Sequence, residues 1–162
     1  MSIKNILLEE RAPYSNTMKA ILFLTLLFLV ALTIFSWAET PHGAGSFQIV
    51  AILTLIVALA FWSFFTMRFR ITTLGVEASM VPFSYGVKYE EIEDVYVDKV
   101  PWWIGWGLRL WWRIAFISMH KPSVVIKKKS GVFRTFILST KDPENFAKKI
   151  RKNDRESVRH SP

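Results

Sequence analysis

The chain has 162 residues, 51% of them apolar, a formal charge of +8 and no cysteine. That length leaves room for one small domain beside any membrane spans, and the missing cysteine excludes disulfides and thiolate metal sites. The histidines, His42, His120 and His160, lie far apart without metal-ligand spacing, so no metal or other cofactor is expected.

Residues 1–17 read as an N-terminal cytoplasmic segment. Its start, SIKNILLEER, fits a short interfacial helix capped by Ser2, with Ile3, Ile6 and Leu7 on one face. It fits a frayed terminus equally well. Residues 18–67 read as a transmembrane helical hairpin. Its first span, 20–37, is uncharged and makes a helix of about 27 Å, close to a hydrocarbon core of about 30 Å. The second span, 47–67, holds Gln48 near its outer end and no charge. The connection between them is short and carries Pro41, Gly43 and Gly45, which makes the helices antiparallel neighbours. Thr25 and Thr33 on one helix, and Ala51, Thr54 and Ala58 on the other, are small enough for close approach. Neither span contains an ionisable residue, which argues against a proton relay, an ion pathway or a transporter.

Lys4, Arg11 and Lys19 precede the first span, and Arg68 and Arg70 follow the second. The connection has no Lys or Arg, so the positive-inside rule predicts both termini in the cytoplasm. Trp37 and Trp62 stand near span ends, where indoles prefer the interface. Ser36-Trp37-Ala38 also resembles a signal-peptidase site, and cleavage there would leave one span with the same cytoplasmic domain. The long segment before the span favours an uncleaved hairpin.

From Phe69 the apolar period changes to two, and residues 68–152 read as a domain. Strands are predicted over 69–73, 76–82, 87–89, 92–100, 114–119, 124–129 and 133–138, with turns at Leu74-Gly75, Ser84-Tyr85-Gly86 and Ser130-Gly131. A helix follows. Asp142 suits its N-cap, Pro143 its first position and Glu144 its positive end, while Phe146, Ala147 and Ile150 share a face. The polar residues 153–162 read as a disordered tail. The class is α+β. The 18 Lys and Arg from Arg68 onward outnumber 10 Asp and Glu. On a tethered domain that charge points to anionic headgroups before nucleic acid, for which no recognition motif is present.

Several stretches carry a family resemblance in their order and spacing. They are the hairpin running into a strand and Leu74-Gly75-Val76-Glu77, the stretch from Val87 to Val95, Trp106-Gly107-Leu108-Arg109, and the helix start from Ser139 to Phe146. Over roughly residues 18–152 the chain resembles prokaryotic membrane-anchored proteins with a pleckstrin-homology-like (PH-like) domain, the bacterial PH group. The resemblance implies a seven-stranded bent sheet or barrel capped by a C-terminal helix, in the cytoplasmic (inner) membrane of a prokaryote. It implies no activity. Phosphoinositide-binding PH domains use a basic loop between their first two strands. Here that turn, Leu74-Gly75, has no Lys or Arg, and inositol phosphate binding is not carried over.

The tryptophan excess between Pro101 and Ile114 departs from the family. Trp102, Trp103, Trp106, Trp111 and Trp112, with Arg109 and Arg113, fit a membrane-interface loop, a protein-docking patch or an internal hairpin packed under the sheet. Lys127, Lys128 and Lys129, near Lys121 and Arg134, read as a solvated strand edge or a contact to anionic lipid. The acidic run Glu90, Glu91, Glu93, Asp94 reads as a solvated face. Ser118 and His120 are two apart on a strand with no third catalytic partner, so no nucleophile–base set is found. The expectation is a non-catalytic, membrane-anchored PH-like module, a scaffold or accessory subunit of a membrane protein complex. Its partners are the lipid bilayer and another membrane protein or a second copy, with no nucleic acid. The alternative is a peripheral sensor of anionic lipid acting through the Trp/Arg-rich loop and the lysines.

Overall fold

The computed structural model describes residues 5–39, 44–101, 107–110, 113–119 and 121–159. The chain divides into two compact units: Tyr14–Phe65, and the segments on either side of it.

The first unit is a helical hairpin of α1, Asn16–Glu39, and α2, Ala44–Phe65. Both helices are long and apolar enough to cross a bilayer. Ser15 caps α1: its Oγ accepts from Met18 N at 3.1 Å, satisfying a donor that the first turn leaves without an intrahelical partner. Thr33 and Thr54 meet between the helices, their hydroxyl oxygens 2.9 Å apart. At the other end Tyr14 donates its hydroxyl to Phe64 O at 2.6 Å, and its ring lies 5.2 Å from Phe64 and 5.1 Å from Phe65. Thr25 bonds back to Ile21 O within its own helix.

The second unit begins before the hairpin. β1, Ile6–Arg11, pairs antiparallel with β2, Arg68–Thr72, so Arg11 stands opposite Arg68 and Glu9 opposite Arg70. The interfacial helix or frayed terminus predicted from SIKNILLEER is therefore a strand. Leu, Glu and Arg are strong helix formers, but pairing with β2 overrides that preference. Residues 1–17 are accordingly not a segment apart, because Ile6–Arg11 belongs to the sheet. β3, Gly75–Met80, and β4, Phe83–Lys88, complete a four-stranded antiparallel sheet in the order β1-β2-β3-β4.

The turn predicted at Ser84-Tyr85-Gly86 is instead part of β4, with Ser79 opposite Ser84 and Glu77 opposite Gly86. The chain reverses at Val81-Pro82, across a cis peptide bond. Proline has no N–H to continue a ladder, so the strand stops there. The turn before β3 depends on Gly75. A Cβ at that position would lie 2.1 Å from Val87 O, a distance that no side chain tolerates.

After a short 3-10 turn, Tyr89–Glu91, comes β5, Ile92–Lys99. β6, Gly107–Leu110, β7, Ile114–Ile117, β8, Pro122–Lys128, and β9, Thr135–Leu138, follow. They form a second sheet in the order β5-β8-β9-β7-β6, in which β7 and β9 are parallel. Among the described residues there are thus nine strands in two sheets, not seven in one, with β1 and β6 unforeseen.

The core lies between these layers. Phe69, Ile71, Val76 and Val87 of the first sheet are buried, as are Phe116, Ile126, Phe136 and Leu138 of the second. Phe116 and Phe136 meet edge to face at 6.0 Å. The opposite face of the second sheet buries Val100, Ala115, Ile117, Val125 and Ile137. Every residue of β7 is consequently buried, as in strands covered on both sides.

α3, Pro143–Arg159, packs on β5, β8 and the 3-10 turn through Phe146, Ala147 and Ile150. Asp142 caps it, accepting from Asn145 N at 3.1 Å. The helix continues past Lys152 into the segment expected to be disordered. Asn153, within that extension, reaches the Tyr89 hydroxyl, and just before it Arg151 Nε donates to Val95 O at 2.8 Å.

Candidate functional site

The pleat of β8 separates the three lysines that stand together in sequence. Lys127 and Lys129 are exposed, whereas Lys128 turns inward with Val124 and Ile126 and is 8% exposed. Each lysine meets an acceptor in the acidic run. Lys127 Nζ lies 2.9 Å from Glu93 Oε1, and Lys129 Nζ donates to Glu90 O at 2.9 Å. Lys128 Nζ lies 2.9 Å from Glu91 Oε2 and 3.1 Å from Tyr85 Oη. Its ammonium is 5.6 Å from the Tyr85 ring centre, which places it off the hydroxyl end rather than over the ring face.

Burial disfavours the charge on Lys128, but Glu91 and Tyr85 more than offset it, and its pKa stands above the usual lysine value. The pKa of Lys127 is also raised, chiefly by its bond to Glu93. The basic cluster and the acidic run thus form one paired seam joining β5, β8 and the 3-10 turn. The acidic run stays solvent-accessible while it meets the lysines, the Glu91 side chain being 39% exposed. Tyr85, within the turn predicted at Ser84-Tyr85-Gly86, is a member of this seam that the sequence does not single out. Its ring packs at 5.2 Å on Phe136 and so ties the first sheet to the second. The readable signal was an acidic stretch and a lysine run on two predicted strands, with complementary charge.

Arg109 and Arg113 are exposed, Arg109 on the edge strand β6 and Arg113 just before β7. Trp102, Trp103, Trp106, Trp111, Trp112 and His120 lie outside the described residues. Ser118 is fully buried near Ser123 and Ser139, whose hydroxyl oxygens are 3.1 Å apart. Among the described residues no group of His, Cys, Asp or Glu is arranged to hold a metal ion.

Two further features bear on binding. A depression of about 260 Å³ lies on the first sheet over Gly75 and Gly86, with Glu77 and Lys88 as its charged lining. That is below the usual range for organic-ligand pockets, about 300–1,000 Å³. On the hairpin, a groove of about 410 Å³ runs over Ala51, Thr54 and Ala58, the small residues expected to allow close helix approach.

Tyr89, buried beneath the 3-10 turn, donates its hydroxyl to Thr72 O at 3.0 Å, and burial raises its pKa. Neutral, it is a structural bolt between β2 and α3. Comparison of the chain with protein-family models, with curated proteins and with solved structures gives no match.

Proposed function

We propose that the chain is a non-catalytic, membrane-anchored interaction module, a scaffold or accessory subunit of a membrane protein complex. The hairpin crosses the cytoplasmic membrane of a prokaryotic cell twice, with both termini in the cytoplasm. One observation carries this reading: β1 and β2, the strands flanking the hairpin, pair with each other. Two segments that pair must lie on one side of a bilayer, so the apolar stretch between them leaves and returns through the same face. The pairing also supports an uncleaved hairpin, since cleavage after Ala38 would remove the edge strand of the domain.

The PH-like assignment draws support from the antiparallel first sheet, a second sheet and a terminal helix with a buried apolar stripe. A parallel β7–β9 pair and nine described strands are not what that resemblance implies. A lipid surface is less favoured for Lys127 and Lys128, because their charge is already met by Glu93 and Glu91. The alternative, a sensor of anionic lipid, rests on the exposed Arg109 and Arg113 together with the Trp-rich segment.

Gentle detergent extraction from the native membrane tests the first reading. A partner co-purifies, and Trp103→Ala or Trp111→Ala weakens the association while the fold persists by circular dichroism. Recovery of the protein alone removes the reading's support. For the alternative, the full chain is reconstituted in zwitterionic and in anionic vesicles. A difference in tryptophan emission that disappears as salt is raised favours lipid sensing.

A further inference from the structure

The β3–β4 turn presents two large apolar side chains to the outside, Val81 and Phe83. Val81 is 47% exposed and Phe83 54% exposed, with Pro82 and Ser84 exposed beside them. No charged residue occurs from Ser79 to Val87. Turns in water are dominated by Gly, Pro, Asn, Asp and Ser for conformational and hydrogen-bonding reasons; Pro82 and Ser84 fit that pattern, but the exposed Val81 and Phe83 do not.

Its place in the sheet is equally specific. Arg11 pairs with Arg68, Arg68 with Ser79, and Met80 with Phe83. The turn therefore stands at the end of the sheet where β1 departs for α1 and β2 arrives from α2. Val81 N donates to Thr66 Oγ1 at 3.0 Å, and Thr66 directly follows Phe65, the last residue of α2. The exposed tip is thus held within one residue of the end of the second apolar helix by covalent connection and a hydrogen bond.

We propose that Val81-Pro82-Phe83 is a second membrane contact of this chain, inserted at headgroup depth into the leaflet from which the hairpin emerges. This rests on the reading of the hairpin as bilayer-spanning, and goes beyond it by assigning a lipid-binding element to the domain itself. The surrounding chemistry suits that depth. Arg11 stands at the same end of the sheet and matches lipid phosphates, while Tyr14, Phe64 and Phe65 cluster at the ends of α1 and α2. Val132 is more exposed still, at 89%, but it lies in the β8–β9 turn, where nothing ties it to the end of a helix. It serves as the control.

The chain has no cysteine, so single reporter sites are available without a background. Four full-length variants, Phe28→Cys, Val81→Cys, Phe83→Cys and Val132→Cys, are labelled with an environment-sensitive fluorophore. They are then reconstituted in phosphatidylcholine–phosphatidylglycerol vesicles, with circular dichroism confirming the fold. Lipids bearing a nitroxide near the headgroup or deep in the acyl chain report depth. The label at position 83 is expected to lose about half its emission to the shallow nitroxide, and that at 132 about a tenth or less, as interfacial burial against aqueous exposure requires. The Val81→Cys label behaves as the Phe83→Cys label does, which protects the result against a local effect of replacing the phenyl ring.

Deep quenching at position 28 without quenching at 81 or 83 overturns the proposal and leaves the hairpin reading intact. No quenching at 28 overturns both. Blue-shifted emission at 83 without lipid quenching shows a protein, not lipid, covering the turn, and also overturns the proposal.

Discussion

Glu9 Oε1 and Arg68 Nη1 are 2.7 Å apart, although 59 residues and the whole apolar hairpin separate them in sequence. Glu9 Oε2 also lies 3.3 Å from Arg70 Nε, at ion-pair distance but outside good hydrogen-bond geometry. In the register Glu9 stands opposite Arg70 and diagonal to Arg68, so one carboxylate serves both guanidinium groups. The hydrogen bond from Arg68, and then the Arg70 guanidinium beside it, hold the Glu9 carboxyl below its ordinary pKa. A depressed acid contributes stability above its unfolded value of 4.5, and that contribution is lost as pH falls through the lower, folded value. Glu9→Gln therefore lowers the melting temperature at neutral pH, and the difference from the parent vanishes in strong acid. The pair is about a third exposed, which keeps the effect small and sensitive to salt.

Removal of β1 tests the discontinuous domain more directly. Deletion of residues 1–11 strips β2 of its partner and leaves an open edge of unpaired backbone groups. The expected outcome is faster proteolysis of the domain and aggregation in detergent, read by limited digestion and size exclusion. Proteolysis and elution unchanged from the parent would show that β1 is dispensable.

Lys127 and Lys128 are neighbours with opposite consequences. Lys128→Ala removes a buried stem and leaves Glu91 and Tyr85 without their cation, at a cost of about 1–3 kcal/mol. Lys127→Ala changes an exposed position and leaves the denaturation midpoint close to that of the parent. Denaturant titration followed by tryptophan emission separates them. The raised pKa of Lys128 means that its contribution is complete below the unfolded value of 10.5 and declines as pH rises through the folded one. Lys128→Met loses that part of the alkaline dependence.

The two glycines of the first sheet also differ. At Gly75 a methyl group collides with the Val87 carbonyl, and Gly75→Ala costs about 1–3 kcal/mol or rearranges the strand pair. At Gly86 the nearest atom, Val76 O, is 3.6 Å from a built Cβ, so Gly86→Ala is tolerated. Thermal melts of the two variants give the comparison.

In the hairpin, Thr33 and Thr54 share a hydroxyl contact while Thr33 also reaches Leu29 O at 2.8 Å and Thr54 reaches Val50 O at 2.9 Å. Each hydroxyl has one proton, so the two threonines can donate only two of these three contacts at a time. A Thr33→Val, Thr54→Val double-mutant cycle in bilayers should give a coupling of about 0.6 kcal/mol. Zero coupling would reduce the contact to simple proximity.

Some features were legible because they are local. The two helices follow from unbroken apolar runs, the start of α3 from Asp142-Pro143-Glu144, and most strands from period-two alternation. Close approach of the helices was legible from their small and hydroxyl residues, but which of them meet, Thr33 with Thr54 and not Thr25, was not. The N-terminal strand was not legible, since Leu, Glu and Arg favour a helix until β2 supplies hydrogen-bond partners from far along the chain. The role of Lys128 was hidden in the same way: a run of three lysines does not say which one faces inward until the pleat and the register with β5 are set.

Hydropathy and capping act within a few residues, so the partition into an apolar helical hairpin and a basic α+β domain is written locally along the chain. That the domain starts before the hairpin and closes after it emerges only once β1 and β2 are paired. The tertiary structure alone paired the lysines with the acidic run and brought Val81 to Thr66, beside the end of the second helix. Each of these depends on pairing across long stretches of chain, where the local preference of a segment yields to the hydrogen bonds and burial that its neighbours provide.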